Sequence, residues 1–291
     1  MTSTTDPRIA YLNGTFLPLV EAQVPALDRG FLFGEGVYEV IPVYAGEPFR
    51  LDEHLVRLNN SLDALGIAPP HGAAEWRALF ETLIERNGGG DLALYLQITR
   101  GAQGKRDHAI PQSYTPTIFA MANAIAAPDP SVHERGIALA CLEDIRWLRC
   151  DIKTTALLAN ALLRTAAGER GADEALLVRD GLVTEGSASN VFVVRDGRVA
   201  TPPKDHRTLP GITRDLIVEL AATDGMALEE REITRAELDD ADEIWISSSI
   251  REVMPVTRLD GEPVGSGRPG PVWQRMHALF QAFKAGLKSD R

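Results

Sequence analysis

Residues Glu143–Lys153 read EDIRWLRCDIK and run directly into TTALLANALLRTAAGERG. Charged and apolar residues alternate loosely from Asp144 to Arg149. The run then delivers one lysine, Lys153, to the threshold of a predicted helix over 154–169, rich in Ala and Leu. The chain holds five lysines against twenty-five arginines. Lys105 and Lys204 stand among turn formers, and Lys284 and Lys288 lie in the last ten residues, which leaves Lys153 as the one in an apolar setting. An amine moved into apolar surroundings loses hydration, which favours the neutral, nucleophilic form. A Schiff-base lysine needs that condition. The plainer alternative is a surface lysine whose stem snorkels along apolar neighbours.

The rest of the composition bounds the answer. With 291 residues, 44% of them hydrophobic, and 25 glycines spread over many turns, the chain is well cored rather than disordered. A formal charge of −11 opposes binding to a nucleic-acid backbone or an anionic membrane, yet leaves room for a small anion in a local arginine pocket. Cys141 and Cys150 are the only cysteines and form no C-x-x-C, so a reducing cytoplasm is the natural expectation. No apolar run approaches the roughly 18–20 residues of a membrane span, and MTSTTDPR has no signal-peptide core.

Read in order, residues 9–24 predict a hairpin around Asn13-Gly14. Val37–Tyr44 alternates like a strand, and Leu51–Leu65 carries Leu55, Leu58, Leu62 and Leu65 at helical spacing, with Asp52 as its expected cap. A second helix is predicted over 73–86, then strands Leu92–Thr99 and Thr117–Ala122. These elements make a small α+β domain over 1–121. Residues 122–135, with the Pro-rich ANAIAAPDPS, are the expected linker, and 136–291 form a larger domain carrying Lys153. Its strands are separated by Asp180-Gly181 and Asp196-Gly197, both hairpin signals.

Standard catalytic motifs are missing. No G-x-G-x-x-G opens a βαβ unit, and the six histidines show neither H-E-x-x-H nor paired ligand spacing, so no metal site is expected. Two polar stretches suit a phosphate. Gly211-Ile212-Thr213 opens a predicted helix, whose free N–H groups and dipole favour an anion; Ser247-Ser248-Ser249 ends a strand. Arg57 on the Leu51–Leu65 helix could complete the cradle, although each stretch alone also reads as an ordinary cap or loop. Glu185, in the loop EGSASN after an apolar strand, is costly to bury unless paired; otherwise it is a solvated edge residue. An amine, a carboxylate and phosphate-holding turns together are what pyridoxal phosphate requires.

The stretches RGFLFGEGVYEV, EHLVRL, EDIRWLRCDIK, VTEGSASNVF, LPGITRD and the Ser247–Ser249 turn resemble the D-amino-acid (D-alanine) aminotransferases. These belong to fold type IV of the pyridoxal-phosphate enzymes, together with the branched-chain aminotransferases and aminodeoxychorismate lyase. The resemblance runs from about Tyr11 to Phe283. It implies a two-domain α+β fold, with a small domain and a larger one having a strand-rich, barrel-like core and flanking helices. It implies that Lys153 is the Schiff-base residue and proton shuttle, and that Glu185 pairs with the pyridine nitrogen. Arg57, Ile212, Thr213, Ser248 and Ser249 would hold the phosphate, and Leu209 would lie against the ring. Tyr38, Arg106 and His108 resemble the trap for the substrate α-carboxylate, with Arg106 and His108 supplied by the partner subunit of a homodimer with shared sites.

The implied reaction is a ping-pong transamination between a D-amino acid and a 2-oxo acid such as pyruvate or 2-oxoglutarate. The R-x-H pair favours D substrates, because the side on which the carboxylate is held decides which hydrogen faces Lys153. Competing readings are a branched-chain L-aminotransferase, an aminodeoxychorismate lyase, and a cofactor-binding protein without turnover. Two departures stand out. The loop Thr99–His108 is one residue longer than the form compared, so Arg100 could share the work; and Ile250-Arg251 follows Ser249 where small hydroxyl residues are usual. Arg251 would then either recruit an acidic substrate side chain or face solvent.

Overall fold

The computed structural model describes residues 6–125 and 130–289. They fall into two units: 6–125 together with Ile152–Leu157, and 130–151 together with 158–289. Each is built around its own sheet, and the class is the expected α+β.

The first unit contains β1 (Ile9–Leu12), β2 (Thr15–Pro18), the short helix α1 (Arg29–Phe33), β3 (Gly36–Tyr44), β4 (Glu47–Pro48), α2 (Leu51–Ala64), α3 (Ala73–Arg86), β5 (Leu92–Thr99) and β6 (Thr117–Ala124). Its antiparallel sheet has the order β2-β1-β6-β5-β3-β4. The β1–β2 hairpin turns at Asn13 and Gly14, both with positive φ, the geometry a two-residue turn of this kind demands. Helices α2 and α3 bury Leu55, Leu58, Leu62, Trp76, Phe80 and Leu83 in one cluster with Val37, Ile41, Leu94 and Leu96 of the sheet. Truncating one such leucine to alanine costs about 2–5 kcal/mol. The expected cap of α2 is corrected: the N-cap is Arg50, in the left-handed region without a side-chain cap, and Asp52 in the first turn accepts from Arg77 instead.

The second unit contains α4 (Pro130–Arg135), β7 (Ile137–Glu143), α5 (Leu158–Glu169), β8 (Glu174–Arg179), β9 (Leu182–Gly186), β10 (Asn190–Arg195), β11 (Arg198–Thr201), α6 (Ile212–Asp224), β12 (Leu228–Glu230), β13 (Glu243–Ser248), β14 (Glu252–Leu259), β15 (Glu262–Pro263) and α7 (Pro271–Ser289). The sheet runs β12-β11-β10-β13-β14-β7-β8-β9, with β15 on β14. It mixes parallel pairs (β11 with β12, β14 with β7, β7 with β8) among antiparallel ones. Both Asp-Gly hairpin turns form as expected, with φ positive at Asp180, Gly181, Asp196 and Gly197. Of the expected linker, 126–129 lie outside the described residues; before them β6 continues to Ala124, and after them α4 is helical. No helix among the described residues is long and apolar enough to cross a membrane.

One difference bears on the site. The helix expected from residue 154 begins only at Leu158. Residues 152–157 instead join the first unit, whose β3 supplies their partners. Tyr38 N–H donates to Lys153 O at 2.9 Å, Thr155 N–H donates to Gly36 O at 2.9 Å, and Thr154 bridges Val37. The β-branched Thr154 and Thr155 favour this extended path over a first helical turn.

Candidate active site

In the first unit Lys153 is fixed through its backbone: its carbonyl accepts from Tyr38 and its N–H donates to Ser61 Oγ at 3.2 Å. Its Nζ stands 4.2 Å from the centroid of the Tyr38 ring, a cation–π contact. Tyr38 stacks on Tyr95 with centroids 5.8 Å apart, and the Tyr95 hydroxyl donates to Gln97 at 2.7 Å. Burial, aided by the neighbouring Tyr38 phenol, pushes the Tyr95 hydroxyl up to about 12, so it stays protonated. Strand alternation places Tyr38 and Glu39 on opposite faces of β3.

Glu39 is fully buried and gathers two residues of α2. Arg57 donates to it through Nε at 2.8 Å and Nη2 at 2.7 Å, and His54 Nδ1 lies 2.7 Å away. Burial works against the Glu39 charge. The Arg57 charge and the hydrogen bonds from Arg57 and His54 outweigh it, holding the carboxyl well below the usual range. His54 is pushed the other way, kept neutral by burial despite Glu39. The candidate phosphate arginine is therefore buried and rigidly oriented.

The carboxylate-trap candidates lie on the loop after β5. Arg106 and His108 are both exposed, with their side chains against Phe33: the Arg106 guanidinium carbon is 5.2 Å from the ring centroid and the His108 ring 5.2 Å. Arg100 does not share this work. It is 1% exposed, and its guanidinium donates to Glu35, to Gly66 O at 2.9 Å and to Leu65 O.

In the second unit Glu185 is buried at the end of β9. Its Oε1 accepts from Arg146 Nη1 at 2.5 Å; its Oε2 accepts from Asn190 Nδ2 at 3.1 Å and from the Leu209 N–H at 3.0 Å. Burial pushes the Glu185 carboxyl up, with the Arg146 charge and the Leu209 N–H opposing it. Arg146 is the residue that reading the sequence missed, although it lies inside the Lys153 stretch. Burial opposes its charge as well, but hydrogen bonds to Asp144 and the Glu185 charge hold it cationic. Asp144 in turn has Arg179 at 3.1 Å. The available signal was elementary: a buried carboxylate requires a cation.

Asn190 links Glu185 to the candidate phosphate turn. Its amide also donates to Leu209 O at 2.9 Å, and a Cβ built on Gly211 would meet Asn190 Oδ1 at 1.9 Å, so a side chain there would force the Asn190 amide to move. Gly211 is the N-cap of α6 and provides no side-chain cap; buried Ile212 and Thr213 follow. Asn190 on β10 pairs with Ser247 on β13, which brings the Glu185 loop beside the serine turn. Ser187 Oγ and Ser247 Oγ are buried and meet no hydrogen-bond partner among the described residues. Such groups are costly without an acceptor or donor. A phosphate-bearing cofactor, rich in acceptors, fits hydroxyls and an uncapped helix start of this kind.

Ser248 Oγ accepts from the Arg251 N–H at 3.3 Å, closing the turn. The Arg251 guanidinium, partly exposed, donates to Glu174 at 2.6 Å. Glu174, 1% exposed, also accepts from the Ala188 N–H at 2.8 Å and from Ser189 Oγ at 2.7 Å. Arg251 is thus tied, through Glu174, to the loop that follows Glu185.

Residues 36–259 match the family Amino-transferase class IV. The chain belongs to that family. This class IV aminotransferase is 41% identical over 269 residues to the D-alanine aminotransferase of Bacillus licheniformis, covering 92% of this chain and 94% of that one. It is 38% identical over 271 residues to the D-alanine aminotransferase of Listeria monocytogenes, covering 92% and 93%. Among solved structures, the Escherichia coli branched-chain amino acid aminotransferase superposes with a TM-score of 0.90 at 27% identity, covering 95% of this chain and 94% of that one. A second branched-chain amino acid aminotransferase, from T.th. and solved with pyridoxamine 5′-phosphate, gives 0.88 at 29% identity, covering 95% and 93%.

Proposed function

We propose that this class IV aminotransferase uses pyridoxal 5′-phosphate to move an amino group between a D-amino acid, D-alanine or a close analogue, and a 2-oxo acid such as pyruvate or 2-oxoglutarate. The observation carrying this reading is the 41% identity to a D-alanine aminotransferase over 92% of the chain. When bound, the cofactor supplies the electron sink that acidifies the substrate Cα–H bond. Everything else is asked of the protein. Lys153 supplies the amine that takes and returns the Cα proton, an intramolecular transfer in place of an encounter in water. Glu185, made more basic by burial, holds a proton on the pyridine nitrogen, and Arg146, Asn190 and the Leu209 N–H fix its two oxygens. Arg57, Thr213, Ser248, Ser249 and the Ile212 N–H are assigned to the phosphate, and Leu209 to the ring face. Tyr38, Arg106 and His108 are assigned to the substrate carboxylate, with Arg106 and His108 working in the neighbouring subunit. Arg251 is assigned to holding the phosphate-side turns rather than to substrate.

A homodimer is supported by large apolar side chains left exposed on each unit. Phe31 is 76% exposed in the first, and Leu158 (74%) and Leu148 (65%) in the second, apolar area that a partner subunit would cover. The runner-up is a branched-chain L-aminotransferase, favoured by the 0.90 superposition. A half-reaction screen decides. Conversion of the cofactor's visible band by D-alanine and not by L-leucine is the expected result; the reverse pattern selects the runner-up, and no conversion by either leaves the lyase and the cofactor-binding readings.

A further inference from the structure

We propose that Arg29 and Phe33, neither a substrate ligand, are the positioning residues of the substrate-carboxylate loop. This rests on the reading that Arg106 and His108 hold the carboxylate. The loop from Gly101 to His108 contains no helix or strand and exposes most of its side chains, so its own residues give it little order. Its ties to the rest of the unit run to α1 and to Leu27 and Asp28 just before it.

Arg29 holds the loop at both ends. Its backbone N–H donates to Gly101 O at 3.0 Å, while its guanidinium donates to Asp107 O at 2.6 Å and His108 O at 3.3 Å. Near the first of these ends Gln103 N–H donates to Leu27 O at 3.3 Å. The guanidinium is 4% exposed and has its third tie at Glu35, which also accepts from Arg100. Arg100 is locked in turn, so Arg29 cannot swing without breaking a largely buried ion pair. The helix start is fixed as well: Asp28, fully buried, accepts from the Gly30 N–H at 2.8 Å and from Thr117 Oγ1 at 2.6 Å.

Phe33, one turn along, collects the side chains. Arg29 lies 4.7 Å and Arg106 5.2 Å from its centroid, and His108 packs on it with centroids 5.2 Å apart. The aromatic face attracts guanidinium groups, whereas an aliphatic side chain of similar size offers volume alone. Two exposed residues of a polar loop therefore arrive pre-placed, which lowers the ordering entropy that substrate binding would otherwise have to supply. Placement of this kind acts on substrate capture rather than on the proton transfer, so its signature is in KM.

The test uses the full-length, cofactor-loaded enzyme with D-alanine and a saturating 2-oxo acid. It compares R106A, R29M, F33L and F33Y by steady-state kinetics and by amide hydrogen exchange over 101–108. R106A should raise the D-alanine KM at least tenfold. R29M and F33L should raise it about fivefold or more with kcat within about twofold, and both should speed exchange of the loop amides about tenfold. F33Y, which keeps the ring face, should behave like the wild type. If R106A raises KM but F33L and R29M leave KM and loop exchange within twofold of wild type, the positioning role is overturned while the carboxylate reading stands. If R106A leaves KM unchanged, the carboxylate reading falls and the inference falls with it. Should R29M fail to fold, the contrast between F33L and F33Y decides.

Discussion

Replacing Arg146 by methionine removes a guanidinium that serves two carboxylates, and the structure says which one suffers. Asp144 keeps Arg179 at 3.1 Å and the Thr184 hydroxyl at 3.0 Å. Glu185 keeps only neutral donors, the Asn190 amide and the Leu209 N–H. Stranding one partner of a buried pair costs about 3–5 kcal/mol. The apoenzyme should therefore lose about that much in urea unfolding, followed by tryptophan fluorescence. Three of the four tryptophans, Trp147, Trp245 and Trp273, lie in the second unit and report on it. The loss should depend on pH. A carboxyl whose folded pKa is raised above its unfolded value loses stability as pH rises, so R146M should be less damaged at pH 5 than at pH 8. In an E185Q background no charge is stranded, and R146M should cost about 2 kcal/mol less there, a coupling expected of groups in contact. Additivity of the two substitutions within about 0.5 kcal/mol, or an R146M apoenzyme as stable as the wild type, would refute the assignment of Arg146 as the counter-ion of Glu185.

Lys153→Ala should abolish transamination and remove the cofactor's visible band while the urea midpoint stays near that of the wild type; turnover at the wild-type rate defeats the assignment. Glu185→Gln should lower kcat about 100-fold, roughly 2.7 kcal/mol, and a change below threefold would mean that another group protonates the ring. Acid should weaken the first unit in two stages. His54, whose folded pKa is below its ordinary value of 6.5, costs stability as pH falls beneath that value. Glu39, depressed below 4.5, holds its full contribution above that pH and loses it as pH falls towards the folded value. Stability of His54→Gln should lack the first decline, and a wild type with flat stability from pH 7 to pH 5 counts against a neutral, buried His54.

Local signals are enough for much of the fold. The Asn-Gly and Asp-Gly hairpins, the helix Ala73–Arg86 and the strand Leu92–Thr99 follow from turn chemistry and side-chain period alone. Expectation and structure part where a distant partner overrides local preference. Ala and Leu after Lys153 favour helix, yet hydrogen bonds from Tyr38 and to Gly36, more than a hundred residues earlier, hold 152–157 extended. By sequence Arg100 is a spare cation for substrate; only the fold shows Glu35 and the Leu65 and Gly66 carbonyls already around it.

The same contrast separates the assigned ligand residues from those that hold them. Lys153, Glu185, Thr213 and Ser249 sit in short stretches whose neighbours advertise them. Their supports do not. Arg146 meets Glu185 across 39 positions, Arg251 meets Glu174 across 77, and Arg29 meets Asp107 across 78. A contact of that span leaves no periodicity, and composition records only that the groups are present. Each pair nevertheless obeys one rule: burial of a charge or polar loop is tolerated only where a fixed partner satisfies it. Applied to the sequence, the rule asks of every carboxylate predicted to be buried which arginine accompanies it. Twenty-five arginines against five lysines is itself a clue, since the planar guanidinium can serve two acceptors at once, as Arg29 and Arg146 both do.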